Sequence, residues 1–397
     1  MTLVSGNLEC RPVDFDLSGD QEALRDAAAV LLDRFADHDA LRARVGEGVI
    51  IGTLPGTASH DESNLVDDAP KGFDQAAWAA MSDQGWLALE LPESEGGLDM
   101  GMVEVAVLCE QIGKRLVAAP FLPTILTLGA LCTPEARAIA ATEAWRGALS
   151  EGTAVGCVAF DPTGELAVSG DGESVTLTGS LAPAAYAPSA DVAIVISADA
   201  TFAVDLEIQG RPDALAAMDR TRELGVLSFK GTPALRIGGA EATAMLVDRA
   251  ATACSAEMLG AADQVLAMTV QYAKDRVQFG KPIGSFQAIK HTLADALVDL
   301  EGMRSTVYYA AWCVGADDSE RSLAASMAKS WCSDASRRIM GAGLQVHGGI
   351  GFTWEHDMHL YVKRAQLDQV SFGDAPFHRD RIAGLLGDRL SAGQAIS

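Results

Sequence analysis

Positive charge is scarce in this chain. Over 397 residues, 30 lysines and arginines stand against 54 aspartates and glutamates, a formal net charge of −24. A surface for nucleic acid needs clustered cations against phosphate, so that balance excludes nucleic acid as a partner. Any anionic ligand must be met by a few local bases. No apolar run is long enough to span a bilayer, which excludes a membrane-spanning helix. Acids come early (Glu9, Asp14, Asp16) where a secretory leader would carry a basic and then an apolar segment, so no leader is expected. The cysteines, Cys10, Cys109, Cys132, Cys157, Cys254, Cys313 and Cys332, are odd in number and form no CxxC pair. They imply reduced thiols and a cytoplasmic setting rather than a disulfide framework. Also missing are a GxGxxG after a strand, a GxSxG elbow and a phosphate-binding P-loop. His356 and His359 are spaced i, i+3 with His378 further off, and no third ligand falls at metal spacing, so no metal is expected.

What is present is apolar substance: hydrophobic residues make up 49% of the chain, enough for two or three domains. Apolar residues recur every three or four positions in 21–35, 73–86 and 102–116, which predicts helices, with a loop across 46–68. The texture then changes. Short β-rich runs at 155–160, 165–169, 174–178, 191–196 and 201–204 are separated by Pro162, Gly164, Gly170 and Gly172, predicting a small all-β domain. From about Ala251 the helical period returns as long segments, continued by 285–314 and 319–340, which predicts an antiparallel bundle. The expected division is an N-terminal helical domain at 1–150, a middle β-barrel-like domain at 151–248 and a C-terminal helical bundle at 249–397.

Two strings in the last third stand out. The first is DRVQFGKPIGSFQAIK from Asp275 to Lys290; the second is LQVHGGIGF from Leu344 to Phe352, followed by Glu355 and by Tyr361 to Arg364. Together they resemble the C-terminal signature of the acyl-CoA dehydrogenase family. Trp86-Leu-Ala-Leu89 and Pro92 to Gly97 are similar to an N-terminal landmark of the same family. The resemblance implies a mainly α fold with a central all-β domain and a C-terminal four-helix bundle. It also implies FAD shared at a subunit interface, an acyl-CoA substrate and an electron-acceptor flavoprotein. On this resemblance Arg276, Phe279, Gln287, Gln345 and Gly349 are the residues that contact a neighbouring subunit's flavin. Arg276 suits its diphosphate because a planar guanidinium donates two hydrogen bonds to oxygens. Residues of the glycine string could equally form a tight interhelix turn, and Arg276 could be a helix-end cation.

The family reaction takes an α proton with a carboxylate while the flavin takes a β hydride. The residues for it are thin in this chain. Phe372 stands where the family's usual Tyr-Glu-Gly-Thr glutamate falls, and Ala250 at the alternative base position on the first bundle helix. Glu257 and Asp374 are the remaining carboxylate candidates, Glu257 being read first as an acid favoured at a helix N-terminus and only second as a base. Pro183 and Ala185 replace the family's flavin-covering Trp and flavin-bonding Thr, and Asp374 replaces a cofactor-binding Thr. The chain therefore reads as the base-lacking subunit of a heteromeric acyl-CoA dehydrogenase, completing the FAD site of a homologous catalytic subunit in a dimer of dimers. Two alternatives stay open: a self-sufficient homo-oligomer with a displaced base, and a non-enzymatic structural homologue.

Overall fold

A computed structural model describes residues 16–36, 41–42, 45, 72–353 and 355–393. The loop expected at 46–68, the acids Glu9 and Asp14, and Cys10 lie outside the described residues. Helices come first: α1 (Gly19–Leu32), α2 (Gln75–Asp83), α3 (Met102–Arg115), α4 (Phe121–Leu131) and α5 (Thr142–Ser150). Local chemistry sets their ends. Ser18 and Gln21 form a reciprocal capping box on α1, and the Asp74 carboxylate accepts from the second and third amides of α2. Pro120, which has no amide hydrogen to donate, sits immediately before α4.

The middle of the chain is a six-stranded sheet of β1 (Gly156–Phe160), β2 (Ala167–Ser169), β3 (Ser174–Ser180), β4 (Val192–Ile196), β5 (Thr201–Asp205) and β6 (Ser228–Gly238), in the order β1-β4-β5-β6-β3-β2. Only β1 and β4 pair in parallel; the other neighbours are antiparallel. β1 and β4 are almost wholly buried and read as apolar runs, which is how they show in sequence. β6, the longest strand, was not expected. Gly231 at φ +67° bulges out of its pairing with β3 and Pro233 removes a donor, so the strand period is broken in the sequence.

Five helices follow: α6 (Ala240–Asp275), α7 (Gln287–Gly315), α8 (Arg321–His347), α9 (Met358–Val370) and α10 (Ala375–Ser391). α6 starts at Ala240, ahead of the expected restart near Ala251: Asp248 and Arg249, which interrupt the apolar run in the sequence, lie within the helix, Asp248 buried against Arg381 at 2.6 Å. α6 packs along α3, α7 and α8, while α9 and α10 lie against α8. The architecture is that of the acyl-CoA dehydrogenase fold, helical at both ends with the sheet between.

Two glycines permit the α3–α6 crossing. A Cβ on Gly260 would lie 1.8 Å from the Glu110 carbonyl oxygen, and one on Gly113 would lie 2.1 Å from that of Glu257. The backbones touch, and this contact carries the middle of α6 into the interior. One apolar core runs through helices, sheet and bundle alike. Among the described residues no helix is long and apolar enough to cross a membrane.

Candidate functional site

The surface string comes first. α6 stops at Arg276, whose amide bonds the Tyr272 carbonyl at 2.8 Å. A two-residue hairpin turns at Phe279 and Gly280, both at positive φ (54° and 78°), between paired Val277–Gln278 and Lys281–Pro282. Gly280 adopts that conformation freely; Phe279 does so against its Cβ. The phenyl ring gains little shelter in return, being 90% exposed with only an edge contact to Phe286 at 6.1 Å. Arg276, Gln287, Gln345 and Gly349 are exposed as well. Arg276 makes no ion pair with a described residue.

The tips of α6 and α8 are held together by rings. Tyr272 stacks on His347 at 4.5 Å, and His347 meets His356 edge-on at 4.6 Å. His347 is buried, bonds the Gly343 carbonyl at 2.8 Å, and is held below the usual imidazole range by that burial. It is a packing residue that links the hairpin string to the glycine string, whose residues Gly348–Phe352 form a 3₁₀ turn.

The second locus is internal. Pro183, Ala185, Phe372 and Asp374, scattered over the sequence, line one cavity of about 550 Å³ between β1, the Ala184–Ala185 segment and the α9–α10 turn. Phe372 sits at φ +57° on that turn. Lys329, fully buried on α8, donates to the carbonyls of Gln369 and Gly373, each at 2.9 Å, and burial pushes its ammonium down from the usual range. His378 bonds the Phe372 carbonyl at 3.0 Å, and burial holds its imidazole down at about 3, so it stays neutral. Asp374 caps α10 by accepting from the Phe377 amide at 2.9 Å. Ala250 is completely buried on α6.

Glu257 lies in the middle of α6, so its reading as an acid at a helix N-terminus is corrected: the helix begins 17 residues earlier, at Ala240. Its side chain is 1% exposed and takes Arg364 Nη1 at 2.7 Å and Arg222 Nη2 on a single oxygen. Arg364 also donates to Asp219 at 2.9 Å and to Thr221, and Arg222 donates to Asp368 at 2.7 Å. Asp219, Glu257 and Asp368 are thus interleaved with guanidinium groups in a closed, buried lattice. Two guanidinium groups occupy the lone pairs of that one oxygen, which suits a structural strut.

Asp368, on the last turns of α9, was not anticipated. It belongs to the lattice through Oδ1 and also lines the cavity, and its Oδ2 is buried with no partner. Burial outweighs the Arg222 cation and pushes its carboxyl up to about 7. The one sequence signal was Arg364 and Asp368 at i, i+4 within an otherwise apolar helix face, Tyr361, Ala365 and Leu360 being buried beside them.

The description acyl-CoA dehydrogenase, N-terminal domain, matches residues 36–145, and acyl-CoA dehydrogenase, C-terminal domain, matches residues 238–386. The acyl-CoA dehydrogenase IpdE2 of Mycolicibacterium smegmatis is 33% identical over 355 residues, which cover 88% of this chain and 93% of that one. The acyl-CoA dehydrogenase FadE27 of Mycobacterium tuberculosis is 30% identical over 363 residues, covering 86% and 96%. Among solved structures, the ChsE4-ChsE5 complex from Mycobacterium tuberculosis superposes with a TM-score of 0.79 at 27% identity, over 94% of this chain and 99% of that one.

Proposed function

Because the chain belongs to the acyl-CoA dehydrogenase family, we propose that it acts in flavin-dependent α,β-dehydrogenation of an acyl-CoA thioester as the subunit that completes a homologous catalytic subunit's FAD site. The family implies FAD. The residues of this chain fit that group in one place and not in the other. Around the internal cavity they do not fit the family's cradle: Pro183 and Ala185 offer no aromatic cover or hydroxyl, and Asp374 places an anion where diphosphate would pass. At the exposed hairpin they do fit. Arg276 makes no ion pair with a described residue, and Gln287 and Gln345 are exposed at the same end of the bundle. A group that meets an anion needs an unpaired cation, and no described carboxylate forms an ion pair with Arg276.

The unpaired Arg276 on an exposed hairpin carries this reading, together with a phenyl ring at the base position. That a structural neighbour was solved as the ChsE4-ChsE5 complex agrees with it. The expected partners are a homologous subunit retaining the base, arranged with this one as a dimer of dimers, and an electron-acceptor flavoprotein. The test is Arg276→Ala in the complex, with FAD retention followed by dialysis. Losing a charge-assisted contact costs about 1.5–3 kcal/mol, roughly ten- to a hundredfold in affinity. Arg276→Lys should restore only part, since a point charge lacks the fork. Unchanged FAD content in Arg276→Ala would return Arg276 to the role of a helix-end cation.

A further inference from the structure

Two histidines beside the hairpin string take no part in its role toward a partner. His347 ends α8 and His356 stands shortly before α9, their rings edge-on at 4.6 Å, and Tyr272 of α6 stacks on His347 at 4.5 Å. Their hydrogen bonds select opposite tautomers. His347 Nδ1 faces the Gly343 carbonyl oxygen at 2.8 Å, so the proton is on Nδ1. His356 Nδ1 accepts from the amide of Met358, the first residue of α9, at 3.1 Å, so its proton is on Nε2. A second proton is costly on either ring. On His347 it would place a donor on Nε2, which is buried with no hydrogen-bond partner. On His356 it would set one N–H against another, that of Met358, and put a cation at the positive end of α9. The titratable and charged groups facing the pair are Tyr272 from α6, Asp357 beside His356, and Arg42, which donates to the Glu355 carbonyl at 2.9 Å and lies 3.6 Å from Asp357. Burial, the largest influence, holds both rings below the usual imidazole range; Asp357 favours a charged His356 and Arg42 opposes it.

We propose that His347 and His356 form a pH-sensitive clasp, which holds the glycine string and the start of α9 against the end of α6 while both rings are neutral and releases them when His356 takes a proton. Protonated Nδ1 cannot accept from Met358, so the first turn of α9 loses a bond and His356 is no longer held against His347. The pair stands where the ends of α6 and α8 meet. The Tyr272 carbonyl accepts the Arg276 amide that closes α6, and Gln345 and Gly349 each lie two residues from His347. Opening therefore shifts one string against the other. Because the fold prefers neutral rings, the contribution of the clasp to stability is present above about pH 6.5 and is lost progressively as pH falls below it.

The test is hydrogen–deuterium exchange of the full chain at pH 7.5 and 5.5, corrected for the intrinsic rate at each pH. Protection of 343–353 and of the first turn of α9 should fall about tenfold at pH 5.5, the factor by which a ring of pKa about 6.5, free to charge only in the open form, favours that form one unit lower. Strand β4, in the sheet, should keep its protection. His356→Asn carries an oxygen in place of Nδ1 that accepts from Met358 but takes no proton, so its protection should be the same at both pH values. Equal protection of wild type at both pH values overturns the proposal, an outcome readable even if the variant does not fold. A step of the same size in β4, or one that persists in His356→Asn, overturns it too. The assembled complex reads the consequence that rests on the hairpin's proposed role: FAD should be retained in dialysis at pH 7.5 and lost at pH 5.5. An exchange step in the chain with FAD retained at both leaves the clasp standing and counts against that role alone.

Discussion

Replacing Glu257 separates a strut from a base. Its side chain is 1% exposed, and its Oε1 receives both Arg222 and Arg364. In Glu257→Ala, Arg222 retains Asp368 at 2.7 Å and Arg364 retains Asp219 at 2.9 Å, so neither cation is left without a carboxylate. The expected loss therefore lies toward the lower end of the about 3–5 kcal/mol found when one partner of a buried pair is removed. Glu257→Gln keeps an acceptor oxygen but sets an NH₂ among guanidinium donors, and should cost about 1.5–3 kcal/mol, the worth of a hydrogen bond between charged groups. Removing the Glu257 charge should also bring the Asp368 carboxyl down from about 7, since that neighbour helps to raise it. Urea midpoints at constant m-value, read by far-UV circular dichroism, measure the first two. Adding Arg364→Met to Glu257→Ala should deepen the loss, because it takes from buried Asp219 the guanidinium that meets it at 2.9 Å. If Glu257→Ala leaves the midpoint unmoved, the lattice is not holding α6 to α9. If Glu257→Gln abolishes turnover of the assembled complex at unchanged stability, Glu257 is a catalytic base and the strut account is wrong.

Gly260→Ala should destabilise the chain by about 1–3 kcal/mol or more, because a methyl 1.8 Å from the Glu110 carbonyl oxygen forces α3 and α6 apart; thermal melts against Gly384→Ala, where a Cβ meets nothing within 4 Å, give the control. The Asp368 carboxyl is raised in the fold to about 7, above an unfolded value of about 3.9, so its contribution to stability is present below about pH 4 and lost as pH rises through 7. Asp368→Asn should flatten that part of the profile of urea midpoint against pH, and an unchanged slope would remove Asp368 as its source. Phe279→Ser should leave the melt of the isolated chain within about 0.5 kcal/mol, as for exposed positions generally, since the ring is 90% exposed. It should weaken association with a partner subunit in sedimentation, and an unaltered association constant would show that the hairpin tip faces solvent in the assembly too.

Much of the architecture is legible along the chain because it rests on local periodicity. Leu24, Ala28 and Leu31 place a helix, Val192 to Ile196 a buried strand, and the strings at Asp275 and Leu344 the family. That Phe372, Ala250, Pro183 and Ala185 stand where the resemblance expects base and cradle is likewise a reading of the sequence alone, since it needs only an aligned position. β6 is illegible because a bulge at Gly231 and Pro233 break the two-residue period, and the start of α6 because Asp248 and Arg249 interrupt its apolar run. Beyond the i, i+4 spacing of Arg364 and Asp368, the charge lattice leaves no signal in the sequence. Its contacts join Arg222 to Glu257 and Asp368, and Arg364 to Asp219 and Glu257. Those residues are distant in sequence, and whether a lone acid is a solvated surface charge, a strut or a ligand acceptor depends on which cations and how much water surround it. Only tertiary packing, through the glycine crossing of α3 and α6 and the pinned α9–α10 turn, decides that Glu257 is enclosed while one oxygen of Asp368 is left facing no partner.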